Sequence, residues 1–209
     1  NFFHGGLESG SKKDNQDAFR ALVNDGMAVV SADYGTYPTA KYPEFIEGAA
    51  AAVNWAFQDL NKYGACQRFY LAGSSAGAYI AMMLCFAERY LDRYGINPND
   101  LAGYIFDAGQ PTTHFNVLRE RGLDPRKVVI DEAASIYHIR KDSGRPPFLL
   151  IAAEHDLPNR LEQTMLFRST LREFGYDDRK IEFKILQGYS HCAYYHAVEN
   201  GKNIYAEIS

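Results

Sequence analysis

The chain has 209 residues, of which 46% are hydrophobic, so it is long enough for one well-buried domain and too short for two ordinary ones. Its formal net charge of -4 provides no basic excess for neutralising phosphates, which argues against nucleic-acid binding. No apolar run approaches the roughly 18 residues of a membrane-spanning helix, so we expect no membrane association.

The cysteines are odd in number and show no CxxC spacing, which argues against a disulfide scaffold or a zinc site. Cys66, Cys85 and Cys192 therefore favour a reducing compartment such as the cytoplasm. The chain starts at Asn1, in residues that already resemble a strand, so a targeting segment could precede it.

Short apolar runs alternate with longer segments of helical period along the chain. The runs are rich in branched and aromatic residues, which is typical of parallel strands covered on both faces. Strands are predicted at 2–3, 27–32, 68–72, 103–106, 148–153 and 181–186. Helices are predicted at 14–24, 43–63, 76–94 and 159–174. This alternation predicts an α/β fold with a doubly wound, mostly parallel sheet of about six strands and helices on both faces.

One connection is much longer than the others. Residues 107–147 include two short amphipathic pieces, and so long a connection usually carries something extra. We expect it to form a small cap or part of a pocket wall, with Gln110, Thr112 and Phe115 as candidate wall residues, although loop packing would explain these three equally well. No repeat or low-complexity linker is visible, so a single domain over residues 1–209 is predicted.

Residues 73–77 read Gly-Ser-Ser-Ala-Gly, a G-x-S-x-G pattern directly between a predicted strand and a predicted helix. Small residues two positions before and after Ser75 allow the strand and the helix to pass close together. The helix N-terminus then directs its free N–H groups towards the serine. The pattern alone is common, but in this position it indicates that Ser75 is a nucleophile.

His4-Gly5-Gly6 follows the first predicted strand. Glycines at such a strand end let backbone N–H groups approach a developing negative charge, and Ala76, directly after Ser75, would supply another N–H. We expect His4 to shape this loop by hydrogen bonding and Gly5 to support it.

A serine nucleophile needs a base and an orienting carboxylate. His191 follows the last predicted strand and is the favoured base, whereas His196 is expected in the following helix, on the surface or in the core. Asp156 is the favoured acid because it follows the strand at 148–153 and gives the chain order Ser, Asp, His. Asp107 and then Glu154 are the alternatives.

Taken together, these motifs resemble those of the hormone-sensitive-lipase-like and acetyl or feruloyl esterase-like α/β hydrolases. The matching residues are His4-Gly5-Gly6, Ala32-Asp33-Tyr34, Tyr37-Pro38, Gly73-Ser74-Ser75-Ala76-Gly77, Glu154-His155-Asp156 and Ser190-His191. The resemblance extends in order over almost the whole chain. It implies a serine carboxylesterase with Ser75, Asp156 and His191 as the catalytic triad and with no metal or organic cofactor.

The resemblance also implies that the backbone N–H groups of Gly6, Leu7 and Ala76 form the oxyanion hole. Leu7 stands where lipase-type members have a third glycine, and its side chain is expected to narrow the acyl side of the pocket. The first two strands of the family are missing and the large cap is reduced, so we expect an open site, a soluble substrate and an exposed sheet edge that favours a homodimer.

The expected substrate is a small-molecule or carbohydrate-linked ester with a short or aromatic acyl group, such as an acetyl or feruloyl ester of a plant polysaccharide. The aromatic content of 14% allows an aromatic acyl group, although a core role explains it equally well. An amide hydrolase, either an aryl formamidase or a small peptidase, is the alternative, because the same triad serves both reactions. A non-catalytic scaffold is disfavoured by the intact set of motifs.

Overall fold

Six strands form the central sheet of the computed structural model, which describes residues 1–64 and 66–209. In chain order they are β1 (Phe2–Phe3), β2 (Ser31–Ala32), β3 (Tyr70–Ser74), β4 (Gly103–Asp107), β5 (Phe148–His155) and β6 (Ile181–Ser190). Across the sheet the order is β2-β1-β3-β4-β5-β6, and each neighbouring pair is parallel. The predicted parallel α/β sheet is confirmed.

Helices cover both faces of this sheet. They are α1 (Gln16–Asn24), α2 (Glu44–Asp59), α3 (Ala76–Phe86), α4 (Arg89–Asp92), α5 (Phe115–Glu120), α6 (Arg160–Glu173) and α7 (Ile204–Ile208). Short 3₁₀ turns lie at Leu60–Lys62, Pro98–Asp100, Ser135–His138, Asp178–Lys180 and Ala193–His196. An antiparallel pair, β7 (Val198–Glu199) and β8 (Lys202–Asn203), was not predicted. None of the helices described is long and apolar enough to cross a membrane.

Two predicted elements differ from the structure by more than a shift of their ends. The helix predicted at 76–94 is divided into α3 and α4, because the fully buried run ending at Phe86 gives way to Glu88 and Arg89, whose charges must reach solvent. The chain turns between them at Ala87, where φ is -90° and ψ is 76°. The strand predicted at 27–32 is reduced to Ser31–Ala32, because β1 has only two residues with which it can pair.

Two apolar cores lie on opposite sides of the sheet. Successive side chains of a strand point to opposite faces, so Phe3 enters the main core with α2 and α3, whereas Phe2 enters a second core with α1 and α7. Every residue of α3 is buried. The helix that follows Ser75 is therefore enclosed on all sides and gives the serine a rigid support.

The connection 107–147 is packed into the main core along much of its length. Val117, Ala133 and Ile136 are buried there, and the Tyr79 hydroxyl of α3 donates a hydrogen bond to the Ala133 carbonyl at 2.8 Å. This part of the chain is thereby tied to the central helix.

Close approach of backbones at the beginning of α3 requires glycine. A Cβ atom on Gly77 would lie 2.1 Å from the Phe3 carbonyl oxygen and 2.5 Å from that of His4. A Cβ on Gly73 would lie 2.3 Å from the carbonyl carbon of Gly77. Both glycines of the G-x-S-x-G pattern thus let β1, β3 and α3 touch directly.

We expect Gly77→Ala to lower the free energy of unfolding by about 3 kcal/mol or more, because backbone atoms of β1 cannot move aside without disrupting the sheet. Gly48→Ala is the matched control, since Gly48 is an exposed residue inside α2 whose added Cβ would find its nearest atom at 3.9 Å. That variant should gain roughly 0.5–1 kcal/mol from helix propensity. Urea unfolding measures both changes, and equal stability of the two variants would contradict the packing argument.

Candidate active site

Ser75, His191 and Asp156 lie together at the carboxyl edge of the sheet. The Ser75 Oγ atom is 2.8 Å from His191 Nε2, and His191 Nδ1 is 2.5 Å from Asp156 Oδ1. When the Asp156 carboxylate accepts a hydrogen bond from Nδ1–H, the neutral imidazole carries its proton on Nδ1. Nε2 is then unprotonated and faces the Ser75 hydroxyl. This is the arrangement in which an imidazole can act as a base towards a serine.

Ser75 occupies a sharp turn between β3 and α3. Its φ of 53° and ψ of -112° are unusual for a residue with a side chain. Its N–H donates to the Asp107 carbonyl at 2.8 Å, which fixes the turn to β4. Its neighbours Ser74 and Ala76 are buried, whereas Ser75 itself is half-buried, so the turn presents its hydroxyl towards the site.

The pairing of β5 with β6 brings the base and the acid to the same level. His155, the last residue of β5, pairs with Ser190, the last residue of β6. Asp156 and His191 come directly after these two residues. The register shifts between Ala153 and His155, so the end of β5 is irregular where the acid leaves the sheet. Both strands run further than predicted, and this extension places the two side chains directly at strand ends.

The Asp156 carboxylate is held by hydrogen bonds although its side chain is only 1% exposed. Burial by itself would raise its pKa, but the hydrogen bonds from His191 and from the backbone N–H groups of Leu157 and Ala153 lower the pKa below the usual value. These N–H groups lie 2.7 and 3.2 Å from the carboxylate oxygens. Asp156 therefore remains ionised and able to hold the imidazole.

The two alternative acids are used differently. The Glu154 carboxylate is exposed and accepts a hydrogen bond from the Gly188 N–H at 2.8 Å. Asp107 is fully buried and accepts a hydrogen bond from the Tyr194 hydroxyl. In the part of the chain that the structure describes, neither carboxylate hydrogen bonds to His191.

The environment of Asp107 favours its neutral form. Burial raises its pKa to about 7, the hydrogen bond from Tyr194 opposes that shift, and the charge of Asp156 adds to it. Two carboxyl groups near the same strand ends thus have pKa values shifted in opposite directions by their surroundings.

His114 and His196 make their hydrogen bonds away from Ser75. His114 is buried and its Nδ1 accepts the Asn116 N–H at 3.2 Å at the beginning of α5. His196 lies in a 3₁₀ turn rather than in the helix that was expected, is exposed, and has its Nδ1 3.3 Å from an Asp17 carboxylate oxygen. Among the residues described, His191 alone of the histidines hydrogen bonds to Ser75.

The glycine loop lies against the serine. A Cβ added to Gly5 would be 3.3 Å from Ser75 Cβ. His4 is buried, stacks on Tyr34 at 4.4 Å, and places Nδ1 2.9 Å from the Gly5 carbonyl oxygen. The Tyr34 hydroxyl donates to the His4 carbonyl at 2.7 Å, so the loop is held from both sides.

Two segments contain the backbone N–H groups predicted to form the oxyanion hole: the glycine loop, which lies against Ser75 through Gly5, and the beginning of α3. Within residues 1–64 and 66–209, those of Gly6, Leu7 and Ala76 donate to no protein acceptor. Gly6 has a φ of 79°, which its lack of a side chain permits. The Leu7 side chain is 2% exposed and packs in the main core, so it has little free surface with which to narrow the acyl side of a pocket, contrary to the expectation.

The candidate wall residues of the long connection are mostly internal. Thr112 is buried and its hydroxyl donates to Gln163 Oε1 at 2.7 Å, and the buried Gln110 side chain donates to the Thr113 carbonyl at 2.9 Å. Phe115 is half-buried and remains available to a ligand. Of the two alternatives, loop packing is the one that holds for Gln110 and Thr112, because their polar groups are used in holding the loop.

Sequence reasoning missed Arg160, a cation only 3% exposed at the beginning of α6. Its guanidinium donates to the Ala108 carbonyl, directly beyond β4, and burial lowers its pKa. The sequence signal that could have pointed to Arg160 is its position four residues after Asp156, the favoured acid. Arg160 holds the end of β4 against α6, beside the candidate acid.

A cavity of about 850 Å³ lies away from the triad. Its lining includes Phe86 at the end of α3 and Arg145 before β5, so it lies towards the opposite edge of the sheet. None of the three triad residues lines it.

A protein-family model described as the alpha/beta hydrolase fold matches residues 1–105, half of the 209-residue chain. The chain belongs to this α/β-hydrolase family. Its similarity to the esterase LipI of Mycobacterium tuberculosis is 36% identity over 97 residues, which cover 45% of this chain and 30% of LipI. The match thus spans less than a third of that relative.

Solved structures share the fold of this α/β hydrolase. An esterase of Pyrobaculum calidifontis superposes with a TM-score of 0.75 at 23% identity, covering 99% of this chain and 73% of that one. Thermogutta terrifontis esterase 2, phosphorylated by paraoxon, superposes with a TM-score of 0.72 at 20% identity, covering 96% of this chain and 74% of that one. At these identities the likeness shows the fold.

The raised pKa of Asp107 predicts a pH-dependent stability. The folded chain favours the neutral form of Asp107. Its contribution to the free energy of unfolding is therefore complete below the ordinary pKa of 3.8 and is lost as the pH rises to about 7. Asp107→Asn carries no charge that must be buried. The free energy of unfolding of this variant minus that of the wild type should therefore rise between about pH 4 and pH 7, by up to roughly 1.4 kcal/mol per pH unit.

Urea unfolding of both proteins between pH 4 and pH 8 measures this difference. The control for the loss of a negative charge is Asp92→Asn, which removes a carboxylate that stays exposed in the folded chain. A difference that does not change with pH for Asp107→Asn would contradict the burial argument.

The cysteines should differ in reactivity. Burial raises the pKa of the buried Cys85 to about 12 and that of the half-buried Cys192 well above its usual value, whereas Cys66 is exposed. We expect a disulfide reagent to label the native chain rapidly at Cys66 and to reach all three thiols only in denaturant. Mass spectrometry of the native Cys66→Ser variant provides the check, and rapid labelling at Cys192 in that variant would refute the prediction.

Proposed function

We propose that this α/β hydrolase is a serine ester hydrolase that transfers the acyl group of a carboxylic ester first to Ser75 and then to water. The observation that carries the proposal is the continuous hydrogen-bond chain from Ser75 through His191 to Asp156. The similarity to proteins named as esterases supports the same reaction class.

In the first half-reaction His191 Nε2 takes the proton of the Ser75 hydroxyl, and Oγ attacks the ester carbonyl carbon. The carbonyl oxygen becomes an oxyanion, which the free N–H groups of Gly6, Leu7 and Ala76 stabilise, each such donor being worth about 3 kcal/mol. The protonated imidazole then gives its proton to the leaving alcohol. The C–O bond to the alcohol breaks, and Ser75 carries the acyl group.

In the second half-reaction water takes the place of the hydroxyl. His191 accepts a proton from the water molecule, whose oxygen attacks the acyl carbon, and Ser75 leaves with the proton that the imidazole returns. Asp156 keeps its proton-free carboxylate throughout and holds Nδ1–H, so the productive tautomer is present at each step. The products are a carboxylic acid and an alcohol.

The proposed substrates are short-chain or aromatic acyl esters, including acetyl or feruloyl groups carried on carbohydrate. One feature supports this class. The connection 107–147 is packed into the core over much of its length, so less of it is left to form a large cap that would enclose a long lipid chain.

The experiment is hydrolysis of p-nitrophenyl esters from acetate to palmitate, together with methyl ferulate and an aryl formamide. We expect kcat/KM to be highest for the short or aromatic esters. Ser75→Ala should lower it by at least about 10⁴-fold, since it removes the atom that forms the acyl-enzyme. Ser135→Ala, at a buried serine whose hydroxyl donates to the Pro111 carbonyl, is the control and should stay within about threefold of the wild type.

Paraoxon provides a second measurement that does not require turnover. Ser75 Oγ should displace p-nitrophenolate and keep the diethylphosphoryl group, which mass spectrometry of the peptide locates. Labelling elsewhere, or ester hydrolysis that survives in Ser75→Ala, would overturn the assignment of the nucleophile. Preference for the formamide over every ester would move the substrate class to amides.

A further inference from the structure

Asp107 touches both segments that bring the nucleophile and the base together. On one side its backbone carbonyl accepts the Ser75 N–H at 2.8 Å. On the other side its carboxyl accepts a hydrogen bond from the hydroxyl of Tyr194, which lies three residues after His191. We propose that Asp107 is a positioning residue. Its two hydrogen bonds, from the Ser75 N–H and from the Tyr194 hydroxyl, form a bridge that holds Ser75 and His191 at hydrogen-bonding distance. This inference rests on the function proposed for the site.

The strand side of the bridge is held by the sheet. Asp107 is the last residue of β4 and pairs with Ser74, the residue before the nucleophile. The next residue, Ala108, donates its N–H to the Ile151 carbonyl of β5 at 2.8 Å, and its own carbonyl accepts the Arg160 guanidinium. Asp107 is completely buried between these contacts, so its two acceptor groups have fixed positions.

The other side of the bridge is held by the second core. The Tyr194 ring is completely buried, stacks on Tyr195 at 5.6 Å, and meets Tyr189 of β6 edge-on at 6.0 Å. Its hydroxyl points back to Asp107 rather than to solvent. The segment that begins at His191 is therefore anchored three residues after the imidazole.

A second contact joins the same two segments. Cys192, directly after the base, has a φ of 56°, and its Sγ atom lies 3.3 Å from the Ser74 hydroxyl oxygen. The residue after the base thus touches the residue before the nucleophile. With the Asp107–Tyr194 bond, this closes a small ring of contacts in which the imidazole has little freedom to move.

The chemistry of the bridge indicates which substitution should preserve it. Burial raises the pKa of Asp107 to about 7, so a large share of this carboxyl is neutral in neutral solution. The amide of Asn has the same shape and keeps an oxygen that accepts the Tyr194 hydroxyl. Asp107→Ala removes that oxygen but keeps the backbone carbonyl that holds Ser75.

The experiment compares Asp107→Ala, Asp107→Asn and Tyr194→Phe with the wild type in p-nitrophenyl acetate hydrolysis. We expect Asp107→Ala and Tyr194→Phe to lower kcat at least about tenfold, with KM within about twofold, because a displaced base slows proton transfer more than substrate binding. Asp107→Asn should keep kcat within about threefold. A double variant that combines Asp107→Ala with Tyr194→Phe should be no slower than Asp107→Ala alone, since both changes break one bond.

Tyr104→Phe is the matched control for Tyr194→Phe. Tyr104 is also a buried tyrosine with a hydroxyl that donates one hydrogen bond, to the Pro98 carbonyl at 2.8 Å, but it lies at the other end of β4. The Tyr104→Phe variant should lose stability as Tyr194→Phe does, but its kcat should remain that of the wild type. If Asp107→Ala does not fold, the comparison of the two Tyr→Phe variants carries the test.

Proton NMR gives a readout that needs no substrate. A strongly downfield His191 Nδ1–H resonance should be present in the wild type and in Asp107→Asn, and lost or shifted in Tyr194→Phe. Unchanged kcat and an unchanged resonance in Asp107→Ala and Tyr194→Phe would overturn the inference, as would an Asp107→Asn variant as slow as Asp107→Ala. A wild type that neither hydrolyses esters nor reacts with paraoxon refutes the proposed function instead, and the resonance still decides whether the bridge positions His191.

Discussion

The hydrogen-bond ladder between parallel strands fixes where, along the strand direction, each chain segment leaves the sheet. The geometry of the candidate site depends on this register. Ser74 pairs with Asp107, and His155 pairs with Ser190. The residues that follow these pairs meet at one edge although they are far apart in the chain. A shift of one residue in either pair would turn a site residue to the opposite face of the sheet.

The strained turn at Ser75 persists because its surroundings hold it from several sides. The helix after it is completely buried, the glycine loop lies against it, and its N–H is bonded to β4. Gly77 allows the first turn of α3 to touch the backbone of β1, which a larger residue would prevent. Close packing is thus the condition for a serine that points its hydroxyl out of the turn.

Burial acts on the polar groups at this edge according to their partners. Asp156 receives N–H groups from the imidazole and from the backbone, which keep its pKa low although it is buried. Asp107 accepts one hydroxyl, that of Tyr194, which only partly offsets its burial, and its pKa rises to about 7. The same residue type therefore provides an ionised orienting group at one strand end and, at its neighbour, a bridging carboxyl whose neutral form is favoured.

Local patterns were enough to predict the alternation of strands and helices, the turn at Ser75 and the glycine loop, because apolar periodicity and glycine spacing reflect short-range backbone requirements. They also named Ser75, Asp156 and His191, which the fold brings into contact. The division between α3 and α4 and the short β2 depended on burial and on partner strands. The choice among Asp156, Asp107 and Glu154 as the partner of His191 was likewise decided only by strand register and by the burial of each carboxylate, since these quantities exist only once distant segments have packed together.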